Sequence, residues 1–276
     1  MKPLRHRRHG AHRGLPLLPA AALLLLALLG PAIVPQDPFA TDVAIGLQPP
    51  SAAHWFGTDQ LGRDVLSRVI WATRLDMAIA FSAVLISAVA GNLVGATCGF
   101  LGGALDRWVG RLVDVLMAFP LFVVAMALVA ALGNSVGSVI YATALINLPF
   151  YIRLSRAEVA VRRHASYVQA ARLGGAGDAR LLFGVLLPNV LPMLAVQVSL
   201  NLGWAILNGA GLSFIGLGVR PPTPEWGVLV GEGAQFILTG QWWVALFPGL
   251  ALFAAVYAFT LAGDALRDRL DPRQRT

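Results

Sequence analysis

The 276-residue sequence predicts an all-α integral membrane protein with six transmembrane helices, and three observations carry that expectation. Hydrophobic residues make up 57% and charged residues 13%, where soluble domains carry roughly 45–50% and 25%. Five stretches, 14–36, 77–105, 115–152, 181–219 and 233–263, contain no Asp, Glu, Lys or Arg, and each exceeds the ~20 residues a helix needs to cross hydrocarbon. With the N-terminus inside, 17 of the 21 Lys+Arg fall on the inner side and four outside, as the positive-inside rule requires. The basic pI near 10.7 is then a topological signature and not a sign of nucleic-acid binding. A soluble enzyme, a disordered chain and a disulfide scaffold are all disfavoured, the last because Cys98 has no internal partner.

The elements follow in order. Residues 1–14 form a basic tail in which His6, His9 and His12 alternate with arginines, a composition suited to lipid headgroups more than to a metal. The first span covers 15–34. It could also be a signal peptide, with Lys2–Arg13 basic and Leu15–Leu29 apolar, but no small-x-small cleavage site follows before Pro31 and Pro35. An outer loop, 35–76, leads to a second span at 77–101. There Gly91, Gly95, Gly99 and Gly103 recur every four residues, placing a smooth stripe on one helix face. The 38-residue stretch 115–152 is long enough to fold back at Gly133–Gly137, giving spans 115–132 and 137–152, each near a proline (Pro120, Pro149). A fifth span, 185–207, precedes an outer loop over 208–241, because Asn208–Gly218 contains four glycines. The sixth span, 242–263, leads into an inner tail, 264–276.

No Asp, Glu, Lys, Arg or His lies inside these spans, so a proton- or ion-coupled mechanism has no charged mid-membrane group to work with. Asn92, Asn147, Gln197 and Asn201 are the strongest polar groups there, and interhelical hydrogen bonding, averaging about 0.6 kcal/mol, outweighs substrate contact as their reading. All five histidines lie outside the spans, so an intramembrane Ser–His protease lacks a base. The only lysine is Lys2, so no P-loop lysine exists to reach a nucleotide. Energy comes from a partner or from a gradient. No His/Cys/Met cluster marks a path for a bare metal.

The longest hydrophilic inner segment, 153–184, carries the mechanism. Ala157–Leu173 has no Pro or Gly and predicts one helix, with Val161, Ala165, Val168 and Ala171 on one face and Glu158, Arg162, Ser166 and Gln169 on another. Gly174–Gly177 breaks it, and Asp178 caps a second helix leading to Leu187-Pro188. A surface helix on lipid buries bulky side chains. Ala170-Ala171 beside a glycine turn suits docking to a protein instead.

The run Gln169-Ala170-Ala171-x3-Gly175-x9-Val185-x-Leu187-Pro188 resembles the EAA loop of ABC importer permeases, E-A-A-x3-G-x9-I-x-L-P, with Gln169 in place of the usual Glu. His54–Arg68 is similar to the G-T-D-x-x-G-R-D-x-x-S-R stretch of the dipeptide/oligopeptide/nickel permeases of the C type. Leu212–Gly227 resembles their L-S-F-L-G-L-G-x-x-P-P-x-P-x-W-G outer loop, and Gly263–Pro272 their C-terminal tail. The likeness covers about four-fifths of the chain.

This resemblance implies a type I ABC importer permease fold in the bacterial inner membrane, with both termini cytoplasmic. It implies no catalytic site, no metal and no cofactor on this chain, with ATP and Mg²⁺ held by partners. Those partners are a second homologous permease, two ABC ATPase subunits and an external substrate-binding protein. Tyr167, Gln169, Ala170, Ala171, Gly175, Leu187 and Pro188 would couple to the ATPase, with Arg162, Arg163 and Arg172 as its charged contacts. Thr58, Asp59, Gly62, Arg63 and Asp64, with Pro221, Pro222 and Trp226, would meet the partner permease or binding protein. A charge-paired turn capping an outer helix is the competing reading of residues 58–64. Di- or oligopeptides are the expected cargo, with nickel chelates, glutathione and opine-like solutes as alternatives. A gradient-driven transporter and a purely structural subunit are the rival classes.

Overall fold

A computed structural model describes residues 15–270 and contains nine α-helices among them. They are α1 (Leu18–Ile33), α2 (Val65–Leu101), α3 (Gly103–Met117), α4 (Leu121–Leu132), α5 (Val136–Arg162), α6 (Ser166–Leu173), α7 (Leu187–Phe214), α8 (Trp226–Ala234) and α9 (Trp243–Leu270). The basic tail 1–14 and the segment from Asp271 onward, including Pro272, lie outside the described residues. Four helices, α2, α5, α7 and α9, are long and apolar enough to cross a membrane. α3 and α4 form a pair bent by 89°, and α1, with 16 residues, spans only about 24 Å at 1.5 Å per residue.

Several boundaries differ from the charge-free stretches. α2 begins at Val65, twelve residues before the expected span, because Asp64 caps it and Arg68, Arg74 and Asp76 are taken into its first turns. The expected span 115–132 is divided. Pro120 lacks an N–H and disfavours helical backbone at the residue before it, so α3 ends at Met117 and only the 12-residue α4 continues. α3 is then held against α5 by ion pairs from Asp106 to Arg156 and from Asp114 to Arg153. The fold-back at Gly133 is present, with Ser135 capping α5 through the Ser138 amide at 3.0 Å. α7 runs past Asn208 to Phe214, despite Gly209 and Gly211, because these glycines seat Ile79, Val139 and Phe122 against its surface. The outer segment then contains α8, a short helix whose Trp226, Val228 and Leu229 are buried.

The glycine stripe packs α2 on α5. A Cβ on Gly91 would lie 2.6 Å from the Tyr151 Cβ, and Cβ atoms on Gly95 and Gly99 would collide with the Ile152 and Arg156 carbonyls. Gly103 does not share this role: α2 ends at Gly102, and Gly103 opens α3 facing open space. Three buried clusters organise the rest. One joins α1, α2, α7, α8 and α9 around Tyr151 of α5, a second joins α2, α4, α5 and α7 with Val228 of α8, and a third lies beneath α6.

Candidate functional site: an inner helical hairpin

Residues 153–184 fold as two helical arms around a glycine turn. Its first arm is not the continuous helix expected over Ala157–Leu173. α5 stops at Arg162, and Ala165 adopts extended backbone before α6 begins at Ser166. Arg163 marks the break: its Nη1 donates to the Gly99 and Phe100 carbonyls, at 3.2 and 3.4 Å, closing the end of α2. The kink turns Val168, 1% exposed, onto Leu181, Leu182, Leu186 and Val190. A straight helix would carry Val168 away from that cluster. Val161, grouped with Val168 on one face by its spacing, lies in α5 before the break and is 78% exposed.

α6 ends in hydrogen bonds that close its last turn. The Gly174 amide donates to the Ala170 carbonyl (2.9 Å), Gly175 to Arg172 (3.0 Å) and Ala176 to Ala171 (3.1 Å). Gly175 has φ +84°, the left-handed position where glycine is favoured because other residues strain there. The return arm, Arg180–Leu186, is a π-helical stretch leading directly into α7 at Leu187. Pro188 in the first turn of α7 has no amide hydrogen, and a widened turn before it relieves the missing bond. Leu181 and Leu186 are fully buried, Leu187 packs at the edge of the same cluster, and Pro188 is exposed.

The opposite face of α6 is open. Tyr167 is 42% exposed and Leu173 90%, with Ala170 exposed between them and Ala171 half-buried against the hairpin core. Gln169 is exposed and its Nε2 donates to the His164 carbonyl at 3.0 Å, tying α6 to the preceding turn. Arg172 is exposed, 3.7 Å from Asp178. Arg162 is ion-paired to Glu158 one turn earlier. Of the three arginines, Arg163 is therefore engaged inside the chain and Arg172 is the most available. Leu173 was missed in the sequence, although its spacing three residues after Ala170 puts it on the same helix face.

Residues 58–64 carry two readings, contact with a partner and a charge-paired turn that caps a helix. Thr58, Asp59, Gly62, Arg63 and Asp64 were expected to touch partners, and all five are buried. The competing reading, a charge-paired turn that caps a helix, accounts for them. Asp64 accepts from the Ser67 amide (2.8 Å) and hydroxyl (2.7 Å) at the start of α2, and from His54 at 3.0 Å. Asp59 accepts from the Leu61 and Arg63 amides and pairs with the Arg63 Nε at 2.6 Å. Arg63 and Arg68 both reach Glu232, at 3.3 Å. Thr58 receives the Trp243 indole N–H on its carbonyl at 3.1 Å, and a Cβ on Gly62 would collide with the Asp42 carbonyl. Trp226 is likewise internal, 1% exposed, donating to the Val69 carbonyl at 3.0 Å. Pro221 and Pro222 remain exposed.

Two consequences are testable. Asp64→Ala removes a helix cap and the hydrogen-bond partner of His54 together, so thermal unfolding of the purified chain should shift down by several degrees, for a loss of about 1–2 kcal/mol. Glu225 accepts the Gly227 and Val228 amides and meets Asp76. Burial pushes its carboxyl above the ordinary range, although those two amides oppose the shift. The folded chain thus holds this proton more tightly than the unfolded one, so its contribution is lost as pH rises through the raised value.

The inner hairpin lies within a segment with known relatives. Residues 91–276 match the family model described as binding-protein-dependent transport system inner membrane component. The chain is 43% identical over 251 residues to the probable D,D-dipeptide transport system permease protein DdpC of Escherichia coli strain K12, covering 91% of this chain and 84% of that protein. It is 42% identical over 258 residues to the nickel transport system permease protein NikC of the same strain, covering 94% and 93%. It is 37% identical over 260 residues to the dipeptide transport system permease protein DppC of Alkalihalophilus pseudofirmus, covering 94% and 85%. An all-helical chain with several membrane-length helices and an exposed helical hairpin, matched over nearly its whole length, thus belongs to the inner-membrane permease components of binding-protein-dependent ABC importers.

Proposed function

We propose that this chain forms half of the translocation pathway of an ATP-driven importer for di- or oligopeptides. In this reading it pairs with a second homologous permease, works with two ATPase subunits that bind ATP and Mg²⁺, and receives solute from an external binding protein. It crosses the inner membrane six times: α1, α2, the bent α3–α4 pair, α5, α7 and α9. Both termini are cytoplasmic. Residues 35–76 and the segment after α7 face outward, and the hairpin 153–184 faces the ATPase.

One observation carries the coupling role. α6 presents Tyr167, Ala170 and Leu173 outward while Val168 anchors it to a buried cluster shared with α2, α5 and α7. A push on the open face is passed to those helices, because a packed cluster resists local deformation. Gln169, Ala171, Gly175, Leu187 and Pro188 then shape the docking element, and Arg172 supplies charge to the ATPase. The test is crosslinking from Ala170→Cys in the assembled complex: adducts should form with the ATPase, and adducts to lipid alone would overturn the reading. Gln169→Glu loses one exposed hydrogen bond to His164, worth about 1 kcal/mol. Assembly and uptake should therefore persist in that variant, as measured by subunit co-purification.

A second cargo reading keeps the same fold and role. Relatives include the nickel permease above and a glutathione transport system permease protein, GsiD, of Pectobacterium atrosepticum, 40% identical over 227 residues. A nickel chelate, glutathione or an opine-like solute would use the same machinery. Ligand binding by the associated substrate-binding protein separates these cargoes, and ATP-independent uptake by this chain alone would replace the whole reading.

A further inference from the structure

α3 differs from the other helices in direction and in what it leaves open. It meets α4 at 89°, and two ion pairs hold it to α5, Asp106 with Arg156 and Asp114 with Arg153. Val113 is its only buried side chain. Trp108 and Leu112 are 68% and 69% exposed, and Leu105 and Val115 are exposed beside them. Positions 105, 108, 112 and 115 recur at three- and four-residue spacing, so they form one open stripe. These side chains are bulky, as on helices that rest at a bilayer surface.

α4 continues that surface with no charged residue from Leu121 to Leu132. In the elbow between the two helices lies a groove of about 580 Å³, walled by Leu112, Val115, Phe119, Val123 and Ala127. With α4 inserted, the bend lays α3 along the membrane surface, its stripe toward the hydrocarbon.

Arg107 and Arg111 edge the stripe, one turn apart, and Arg111 shares a side of the helix with Val115 four residues on. Both arginines are exposed. Neither forms an ion pair among the described residues, because the two acidic residues of α3 are taken by α5. Arg163 stands at the start of α3 and binds only the Gly99 and Phe100 carbonyls and its neighbour His164, which adds positive charge with no carboxylate to offset it. Whatever fills the elbow therefore meets hydrocarbon along α4 and uncompensated positive charge along α3. An amphiphile with an anionic head satisfies both in one molecule.

We infer that the α3–α4 elbow binds an anionic phospholipid, its phosphate between Arg107 and Arg111 and an acyl chain in the groove. Guanidinium forks match phosphate oxygens. The arginine stems run along the apolar stripe while their heads reach the headgroup level. Trp108 lies at the same level, where indole rings are favoured. A zwitterionic lipid would fill the groove but bring its own cation beside the two arginines. The site is separate from the hairpin and needs only that the chain sit in a bilayer, so it stands apart from the cargo and subunit roles proposed above.

The test places the complete transporter in nanodiscs of equal phosphatidylglycerol and phosphatidylcholine, with Phe119→p-benzoylphenylalanine as a photocrosslinker in the groove. Captured lipid is identified by mass. Phosphatidylglycerol should be captured about thirtyfold over phosphatidylcholine, since each arginine near an anionic headgroup contributes roughly a factor of five. Arg107→Gln/Arg111→Gln should abolish that preference, and Arg107→Lys/Arg111→Lys should keep most of it. With both arginines in place, raising NaCl from about 0.1 M to 1 M should also erode the preference, because the screening length falls from about 10 Å to 3 Å. Equal capture of the two lipids, or a preference insensitive to salt, would reduce the elbow to ordinary lipid-facing surface and overturn the site. Adducts to an ATPase polypeptide, or loss of subunit assembly in the glutamine variant, would make this face a protein interface and overturn it as well.

Discussion

Replacing Ala170 with arginine is expected to lower ATP-driven uptake by about 100-fold or more while leaving the chain inserted at normal abundance. Ala170 is exposed on α6 and contributes nothing to the hairpin core, so the long side chain is accommodated in the isolated subunit. It projects from the open face between Tyr167 and Leu173, where a docked partner would have to make room for it. Stimulated ATPase activity should fall with uptake, because the lever no longer seats. Ala171→Arg is the less clean version, since Ala171 is half-buried and packs on the core. Gly175→Val should also abolish uptake, through a different cause. Nothing crowds a Cβ at Gly175, but its φ of +84° strains a β-branched residue, so the turn that presents α6 is reshaped. Uptake assays on membranes matched for protein level check both variants, and normal transport by Ala170→Arg would remove the docking role of this face.

Gly95→Val should act on the fold, cutting the amount of stable protein to a small fraction of wild type. A side chain there collides with the Ile152 carbonyl, and neither helix can relax without breaking the contacts of Gly91 and Gly99 on either side. Overpacking of a tight interface costs about 1–3 kcal/mol or more, and a bilayer supplies little compensating drive for helix association. Thermal stability in detergent and steady-state abundance measure the loss. Gly110→Val serves as the control, because a Cβ on Gly110 in α3 meets nothing within 4 Å.

Much of the architecture was legible because hydrophobicity and charge are local properties. The apolar stretches became α2, α5, α7 and α9, and the turn at Gly133 followed from glycine beside Asn134-Ser135. Boundaries were less legible, because they depend on partners distant in sequence. α2 takes up Arg68 and Asp76 because Glu232, Glu225 and the Trp226 amide meet them from α8 and its cap. Without that knowledge a charge reads as the end of a span. The division at Pro120 was half legible: the proline was visible, but not the 89° bend that it permits.

The candidate site divides in the same way. Ala170, Gly175 and Leu187-Pro188 could be read from spacing, since a helix, a left-handed turn and a restart each leave a local mark. Leu173 could have been found from the same period. The burial of Thr58–Asp64 could not, because buried and exposed charges have the same sequence signature until their counter-ions are located.

What the sequence determined alone is a membrane-spanning helical chain with a small-residue hairpin in the longest hydrophilic loop between its apolar stretches. These follow from transfer free energy and backbone sterics, which act residue by residue. Only the tertiary structure decided that Arg63 and Arg68 turn inward to Glu232 and that the helix after α5 is broken at Arg163, whose guanidinium reaches the Gly99 and Phe100 carbonyls. Each of those depends on a group more than sixty residues away coming within a few ångströms, and no local rule encodes that meeting.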